Sequence, residues 1–203
     1  MGLFDSLRSV LGLGAEADAT RDADPDDLFG MSTAYLTMEA ELDFVPGDAA
    51  ALCFSSVDST AFAATVDEVE EILRAGEAET GTAFRRHEDD HGYHWVVLAD
   101  SDPEDLVASV HFAAATFGEL DFDSRLLAAV FGFTRPRDGT DAYWIYSFRR
   151  GAYYPFAPRA GRERDGHLEF KLASVLDGEL AVEDDERYWY PLWPDRDGGR
   201  PWE

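Results

Sequence analysis

The spacing of hydrophobic positions predicts strands and helices along most of the chain. Residues 33–44 alternate strictly between apolar and polar side chains, which favours a strand, although the Glu-Ala-Glu-Leu sequence within them would also suit a helix. The apolar run 50–56 predicts a buried strand, and residues 82–100 predict a hairpin with its turn near residues 90–92. Two further strands are predicted at residues 125–134 and 142–148.

Helices are predicted between and after these strands. Residues 62–73 carry apolar side chains at helical spacing, after a serine and a threonine that can cap a helix. Residues 101–105 combine a capping side chain, a first-turn proline and acids at the positive end of the helix dipole, so they start a helix. Residues 168–176 mark the last helix. The order β-β-α-β-β-α-β-β-α indicates an α+β fold, a mainly antiparallel sheet with about three helices packed on it.

The chain divides into four parts. Residues 1–13 have the pattern of an amphipathic helix, residues 14–27 form an acidic linker, residues 28–194 form a single α+β domain, and residues 195–203 are a C-terminal tail. Because so short a helix is marginal alone in water, its apolar face needs a surface to lie on. That surface is either a membrane, contacted reversibly, or the protein's own domain. The membrane-contact residues would be Leu3, Phe4, Leu7, Val10 and Leu11.

Acidic residues dominate the charge of the chain. There are 42 of them against 17 basic residues, a formal net charge of −25, and only Lys171 among the basic residues is a lysine. This composition resembles that of halophilic archaeal proteins that work in concentrated salt. Such a charge supports solubility and does not determine the fold. It argues against nucleic-acid binding, which needs positive charge to contact phosphates.

The sequence favours a cytoplasmic location. Cys53 is the only cysteine, so no intrachain disulfide can form, and its place in an apolar run predicts a small buried side chain. No stretch approaches the roughly 18 apolar residues of a membrane span. The N-terminus also lacks the basic and long apolar regions of a secretion signal. Peripheral contact with the inner face of the membrane would depend on the N-terminal helix.

One segment departs from the acidic background. Residues 149–164, RRGAYYPFAPRAGRER, contain five arginines and a single acid. In one interpretation the segment continues strand 142–148 along a sheet edge marked by Pro155, with its aromatic rings on the core and its arginines paired to local acids. In the other it is a docking surface for an acidic partner helix, because tyrosine and arginine dominate many interfaces. The partner-binding residues would be Arg149, Arg150, Tyr153, Tyr154, Phe156 and Arg159.

The sequence also contains a literal match to a catalytic motif. In HEDDH, residues 87–91, His87 and His91 would bind zinc and Glu88 would be the general base of a metal-dependent hydrolase. That chemistry needs both histidines on one helix, whereas Gly92 and the following strand-like residues favour a hairpin tip. We therefore expect no metal, cofactor, catalytic residue or small-molecule substrate, and keep the hydrolase as the alternative. His111 is expected to be structural.

Several segments resemble the PspAB family, proteins associated with phage shock protein A (PspA) in actinobacteria and haloarchaea. The string RRGAYYPFAP is uncommon and is the basis of the resemblance. Further matching segments are TAYLTMEAEL, GYHWVVL, DPEDLVASVH, LLAAVFGF and RYWYPLW, which together cover about residues 28–194. The histidine-rich hairpin tip and the basic RAGRERDG segment depart from the family pattern.

The resemblance implies a role in a membrane-stress response and supplies no catalytic residue. The family is linked to PspA and often to the membrane zinc protease HtpX. We therefore expect a non-enzymatic accessory or adaptor protein that binds a PspA homologue or an HtpX-type protease complex.

Overall fold

The computed structural model describes residues 21–55, 57–196 and 198–203. Its four helices are α1 (Gly30–Leu42), α2 (Thr60–Thr80), α3 (Pro103–Glu119) and α4 (Gly166–Leu176). Its strands are β1 (Val45–Ser55), β2 (Ala83–Glu88), β3 (Tyr93–Ala99), β4 (Leu126–Arg135), β5 (Thr140–Ser147), β6 (Ala152–Phe156), β7 (Pro158–Arg159) and β8 (Glu163–Arg164). Short 3-10 helices occupy Pro25–Phe29, Asp123–Arg125 and Glu186–Tyr188.

Six strands form one sheet in the order β2-β3-β1-β4-β5-β6, and every neighbouring pair is antiparallel. The predicted α+β class is therefore confirmed. The hairpin predicted for residues 82–100 is present as β2 and β3, with residues 89–92 in its turn. Ser59 caps α2, and Asp102 with Pro103 starts α3, as the sequence predicted.

The strand predicted for residues 33–44 is wrong, because most of this segment belongs to α1. The buried side chains follow helical spacing, and Leu36, which a strand would have placed on the core, is exposed. When apolar residues occupy every second position, they also occupy every fourth position. The segment therefore fits both the two-residue repeat of a strand and the 3.6-residue repeat of a helix. The content of alanine, leucine, methionine and glutamate favours the helix. The buried residues of α1 are Met31, Ala34, Tyr35, Met38 and Leu42.

The helices cover one face of the sheet. Side chains from β1, β4 and β5, among them Phe54, Phe131 and Trp144, are fully buried there against the helical layer. Within that layer, α3 lies between α1 and α2, and α4 packs beside α1. This core begins before the predicted boundary at residue 28, because the Tyr146 hydroxyl is hydrogen-bonded to the backbone of Asp24 (3.1 Å) and the carboxylate of Asp27 (3.0 Å).

The C-terminal residues cover the opposite face. The aromatic segment 186–194 lies against the sheet, and Trp189 and Leu192 join a second core with β1, β3, β4, β5 and β6. Trp202 belongs to the same core and is fully buried, so residues 195–203 are part of the domain and not a separate tail. We call residues 182–203 the C-terminal segment; it closes the second face of the sheet.

The outer edge of β6 is capped by neighbouring residues. Tyr153 donates its N–H to the carbonyl of Ala181 and accepts from the N–H of Glu183, both at 2.8 Å. Pro155 has no N–H to satisfy, and Ala157 donates to the carboxylate of Glu169 at 2.9 Å. The edge strand predicted from Pro155 is present, and its backbone is not left open for pairing with another strand.

A buried ion pair fastens the C-terminal segment to this edge. Arg150, in the turn before β6, donates from Nε to Glu183 Oε2 (2.7 Å) and from Nη2 to Glu183 Oε1 (3.1 Å). Both residues are buried, and the guanidinium lies 3.8 Å from the ring centroid of Tyr188. A two-point pair of this kind fixes both distance and orientation.

We expect Trp202→Ala to lower the free energy of unfolding by about 3–5 kcal/mol, because it leaves a large cavity in the second core. Urea denaturation followed by circular dichroism measures the change. Phe170→Ala, at a side chain that is 51% exposed, is the control and should change stability by less than about 1 kcal/mol. Equal losses for the two variants would show that the C-terminal segment is not part of the core.

We expect Glu183→Gln to cost about 3–5 kcal/mol, because it leaves the Arg150 guanidinium buried without its carboxylate. The matched control is Arg137→Gln, which breaks an exposed pair with Asp43 (3.2 Å) and should cost at most about 1 kcal/mol. Denaturation midpoints at one salt concentration compare them. A Glu183→Gln protein as stable as the control would mean that the buried pair does not hold the segment.

Candidate interaction surface

The predicted arginine-aromatic docking surface is mostly inside the protein. Arg150, Tyr153, Tyr154 and Phe156 are exposed by only 4%, 1%, 1% and 0%. Strand β6 lies between two covered faces, so Tyr153 packs in the helix-side core while Tyr154 and Phe156 pack in the second core. These four residues cannot form a docking surface, and the edge-strand interpretation describes them correctly.

The remaining two predicted partner-binding residues lie at opposite ends of β6. Arg149 is half-buried and donates to the carbonyl of Ser124 at 2.6 Å. Arg159 is exposed and pairs with Asp165 at 2.6 Å. With the rings between them buried, they do not belong to one continuous arginine-aromatic surface.

The arginines of this segment mainly serve internal contacts. Besides the pair of Arg150 with Glu183, Arg164 contacts the buried carboxylate of Glu169 (2.9 Å) and donates to the carbonyl of Trp189 (2.6 Å). Arg164 therefore joins α4 to the C-terminal segment. Composition revealed the unusual cluster of arginines, but their carboxylate partners are indistinguishable by sequence from the many other acids of this chain.

The HEDDH segment lies on a hairpin and not on a helix. His87 and Glu88 end β2, and His91 lies in the turn, 3.7 Å from Asp195. Asp89 organises this turn by accepting from the backbone N–H groups of His91 and Tyr93 and from the indole of Trp95. The one-turn spacing that the zinc motif needs is absent. Over the described part of the chain, no group of three or more potential metal ligands occurs.

His111 and Cys53 have structural surroundings. The His111 ring lies 2.8 Å from the Asp26 carboxylate and 4.3 Å from the Phe29 ring, so it joins the 3-10 helix Pro25–Phe29 to α3. Cys53 is buried in the second core. Burial raises the pKa of its thiol well above the usual value, and the reactive thiolate is therefore disfavoured.

The outward sides of α1 and α3 carry few charges, with exposed Glu39 and Glu41 near the end of α1 and exposed Glu104 and Glu119 at the two ends of α3. No charged residue occurs at residues 28–38, and none occurs at 106–118, where His111 is the only titratable side chain, although 29% of the whole chain is charged. Phe29, Leu36 and Phe112 are exposed there by 45%, 69% and 49%. Contiguous apolar surface of this kind is a common mark of an interaction site. We call this surface the neutral face; its exposed residues are Phe29, Thr33, Leu36, Ala40, Ala108 and Phe112.

A groove of about 280 Å³ borders the neutral face between α2 and α3. Ile72 and Leu73 form one wall, Ala108 and Phe112 the other, and Leu98 of β3 lies at its base. Asp105 is its only charged lining residue among those described, and Gly76 leaves space beside α2. The sequence-based predictions included neither the groove nor the neutral face. The charge-free runs at residues 28–38 and 106–118 were the available sequence signal for the neutral face.

The proposed membrane-contact residues, Leu3, Phe4, Leu7, Val10 and Leu11, lie outside the described residues. Within the described part of the chain, none of the helices has the length and hydrophobicity needed to cross a bilayer.

Comparison with known proteins identifies the family. No curated protein and no solved structure matches this chain. The family model described as PspA associated protein B (PspAB) matches residues 1–202, almost the full length. The chain belongs to the PspAB family.

Proposed function

We propose that this protein is a non-enzymatic accessory protein of a membrane-stress response, which acts in the cytoplasm by binding a PspA homologue through the neutral face. The family name supplies the partner, since it describes association with PspA. The observation that supports the site is the exposure of Phe29, Leu36 and Phe112 within residues 28–38 and 106–118, two stretches without a charged residue in a chain of net charge −25.

The neutral face suits a partner that presents an apolar helical surface. Phe29, at the N-cap of α1, and Leu36 and Ala40 within α1 are exposed, recur at spacings of seven and four residues and lie along one side. Phe29 contacts His111 and thereby brings this row next to Phe112 of α3. An amphipathic helix that carries apolar residues at the same spacing could pack along both rows.

Apolar contact is also the interaction that concentrated salt preserves. At about 1 M ionic strength the screening length is about 3 Å, so attraction between separated charges contributes little. Burial of apolar surface is not weakened by such screening, and salts excluded from protein surfaces strengthen it. If the acidic composition reflects a saline cytoplasm, a neutral apolar interface would remain effective where a charged one would not.

We expect Leu36→Glu to weaken binding to the PspA homologue by at least about tenfold, equivalent to about 1.4 kcal/mol, because it places a charge in the centre of the interface. Isothermal titration calorimetry in molar KCl measures the affinity, and circular dichroism checks that the domain remains folded. The matched control is Phe170→Glu on α4, at an exposed apolar side chain away from the neutral face, which should bind normally.

Unchanged binding by Leu36→Glu would place the interface elsewhere. A pull-down from high-salt lysate with the wild-type chain and with Leu36→Glu extends the comparison to an HtpX-type protease complex. Loss of a PspA homologue from the variant sample supports the proposal, whereas selective loss of the protease would identify it as the partner instead.

The non-enzymatic part of the proposal has its own test, which concerns His87, Glu88 and His91. These residues lie on a strand and a turn, where the helical zinc-protease geometry is absent. We therefore expect elemental analysis of protein purified without an affinity tag to show far less than one zinc per chain. Stoichiometric zinc that is lost in His87→Ala would restore the metal-dependent hydrolase.

A further inference from the structure

We propose that two copies of this chain pair through β2, the open edge of the sheet, and form one continuous antiparallel sheet. The sheet of one copy ends at β2 on one side and at β6 on the other. The β6 edge is capped by residues of the same chain, whereas β2, over the described part of the chain, pairs only with β3. An uncovered strand edge is a template for pairing with another strand. This pairing involves neither the neutral face nor a PspA homologue.

The backbone of β2 presents hydrogen-bonding groups along this edge. Residues of an antiparallel pair alternate between those that exchange hydrogen bonds with the neighbouring strand and those that face away from it. Asp89 donates its N–H to the carbonyl of Tyr93 (3.0 Å) where the β2-β3 ladder ends. The alternation therefore turns the N–H and carbonyl groups of Phe84, Arg86 and Glu88 away from β3. No described backbone group is hydrogen-bonded to them, so they can accept a further strand.

The order of charges along β2 and into its turn is complementary to itself. Beginning at Arg85, five residues read Arg-Arg-His-Glu-Asp. In an antiparallel pair of two such strands, a two-fold axis at His87 places Arg86 opposite Glu88 of the other copy. The same axis places Arg85 opposite Asp89. Opposite charges directly across an antiparallel pair stabilise it, and like charges destabilise it.

The backbone and the charges select the same register. Hydrogen bonds between the copies must join outward-facing residues, and Arg86 and Glu88 both face outward. Moving the axis by one residue, to Arg86 or to Glu88, would set that residue against its own copy and bring like charges together. With the axis at His87, the residue that faces itself is the histidine, and every charged residue of the five meets its opposite.

The charged side chains of this edge are available to a second copy. Arg85, Arg86 and Glu88 are exposed. Within one copy, Arg86 contacts Glu70 at 3.1 Å and Arg85 lies 3.9 Å from Glu203, and both guanidinium groups stay about half-exposed. Exposed ion pairs of this kind contribute little to stability. Carboxylates of a facing strand can therefore replace or share these contacts.

We expect Arg86→Glu and Glu88→Arg, each alone, to raise the dissociation constant of the dimer at least about tenfold, because each places like charges opposite each other at two symmetric positions. Exchanging the two residues within one chain, Arg86→Glu with Glu88→Arg, restores opposite charges and should restore the dimer. An equimolar mixture of the two single variants should also dimerise, since each supplies the charge that the other lacks.

Sedimentation equilibrium of the full chain measures this association, against a mass of 22.6 kDa for one copy. The experiment is done in about 1 M KCl, where a screening length of about 3 Å suppresses repulsion between two acidic chains but leaves ion pairs in contact. The matched control is Arg137→Glu, at an exposed arginine in the turn between β4 and β5, which should dimerise like the wild type. Circular dichroism checks the fold of each variant.

Hydrogen exchange locates the contact within the dimer. The amides of Arg86 and Glu88 should exchange more slowly as the protein concentration rises, because both become hydrogen-bonded across the new strand pair. The amides of the capped β6 edge should be indifferent to concentration.

Four results would overturn the proposal. A wild-type chain that sediments as a single copy at every concentration would show that the β2 edge stays unpaired. A dimer that survives Arg86→Glu as well as it survives Arg137→Glu would lie elsewhere on the molecule. Folded single variants whose mixture fails to associate would show that opposite charges do not pair across β2. Loss of the dimer in Leu36→Glu would assign the contact to the neutral face.

Discussion

Closure of the sheet's second face by the C-terminal segment is the interaction on which the rest of this fold depends. Strands β1, β3, β4, β5 and β6 carry apolar side chains on both faces, and the helices cover only one of these faces. Trp189, Leu192 and Trp202 remove the other face from water. Without them, apolar surface would be exposed across five strands, and a sheet of this composition would associate with other chains.

The cluster of arginines is explained by this closure. A segment with little regular secondary structure gains little from its own backbone, so side-chain contacts must fix its path. Arg150 holds Glu183 at the start of the segment, and Arg164 holds the carbonyl of Trp189 further along. Arginine suits both tasks because its planar group can donate several directed hydrogen bonds at once. The basic residues that looked like a surface for a partner therefore join two parts of the same chain.

Sequence analysis succeeded where local chemistry decides structure and failed where distant contacts decide it. The cap at Asp102 and Pro103, the hairpin turn and the edge position of Pro155 all follow from properties of neighbouring residues. The assignment of residues 33–44 failed because two periodicities fitted the same letters, and only packing of Met38 against Trp144 and its neighbours selects the helix. The burial of Arg150 was equally hidden, since its partner lies thirty-three positions away among 42 acids.

Charge is unevenly distributed along the helical layer of the molecule. In a chain with so many carboxylates, the charge-free stretches 28–38 and 106–118 give up the hydration that keeps the remaining surface soluble. Leu36 and Phe112 are not needed to fill the helix-side core, which is complete beneath them. Their exposure therefore has a cost in solubility and no matching gain in folding. Exposed apolar side chains of this kind are what the proposed role of the neutral face as a binding surface requires.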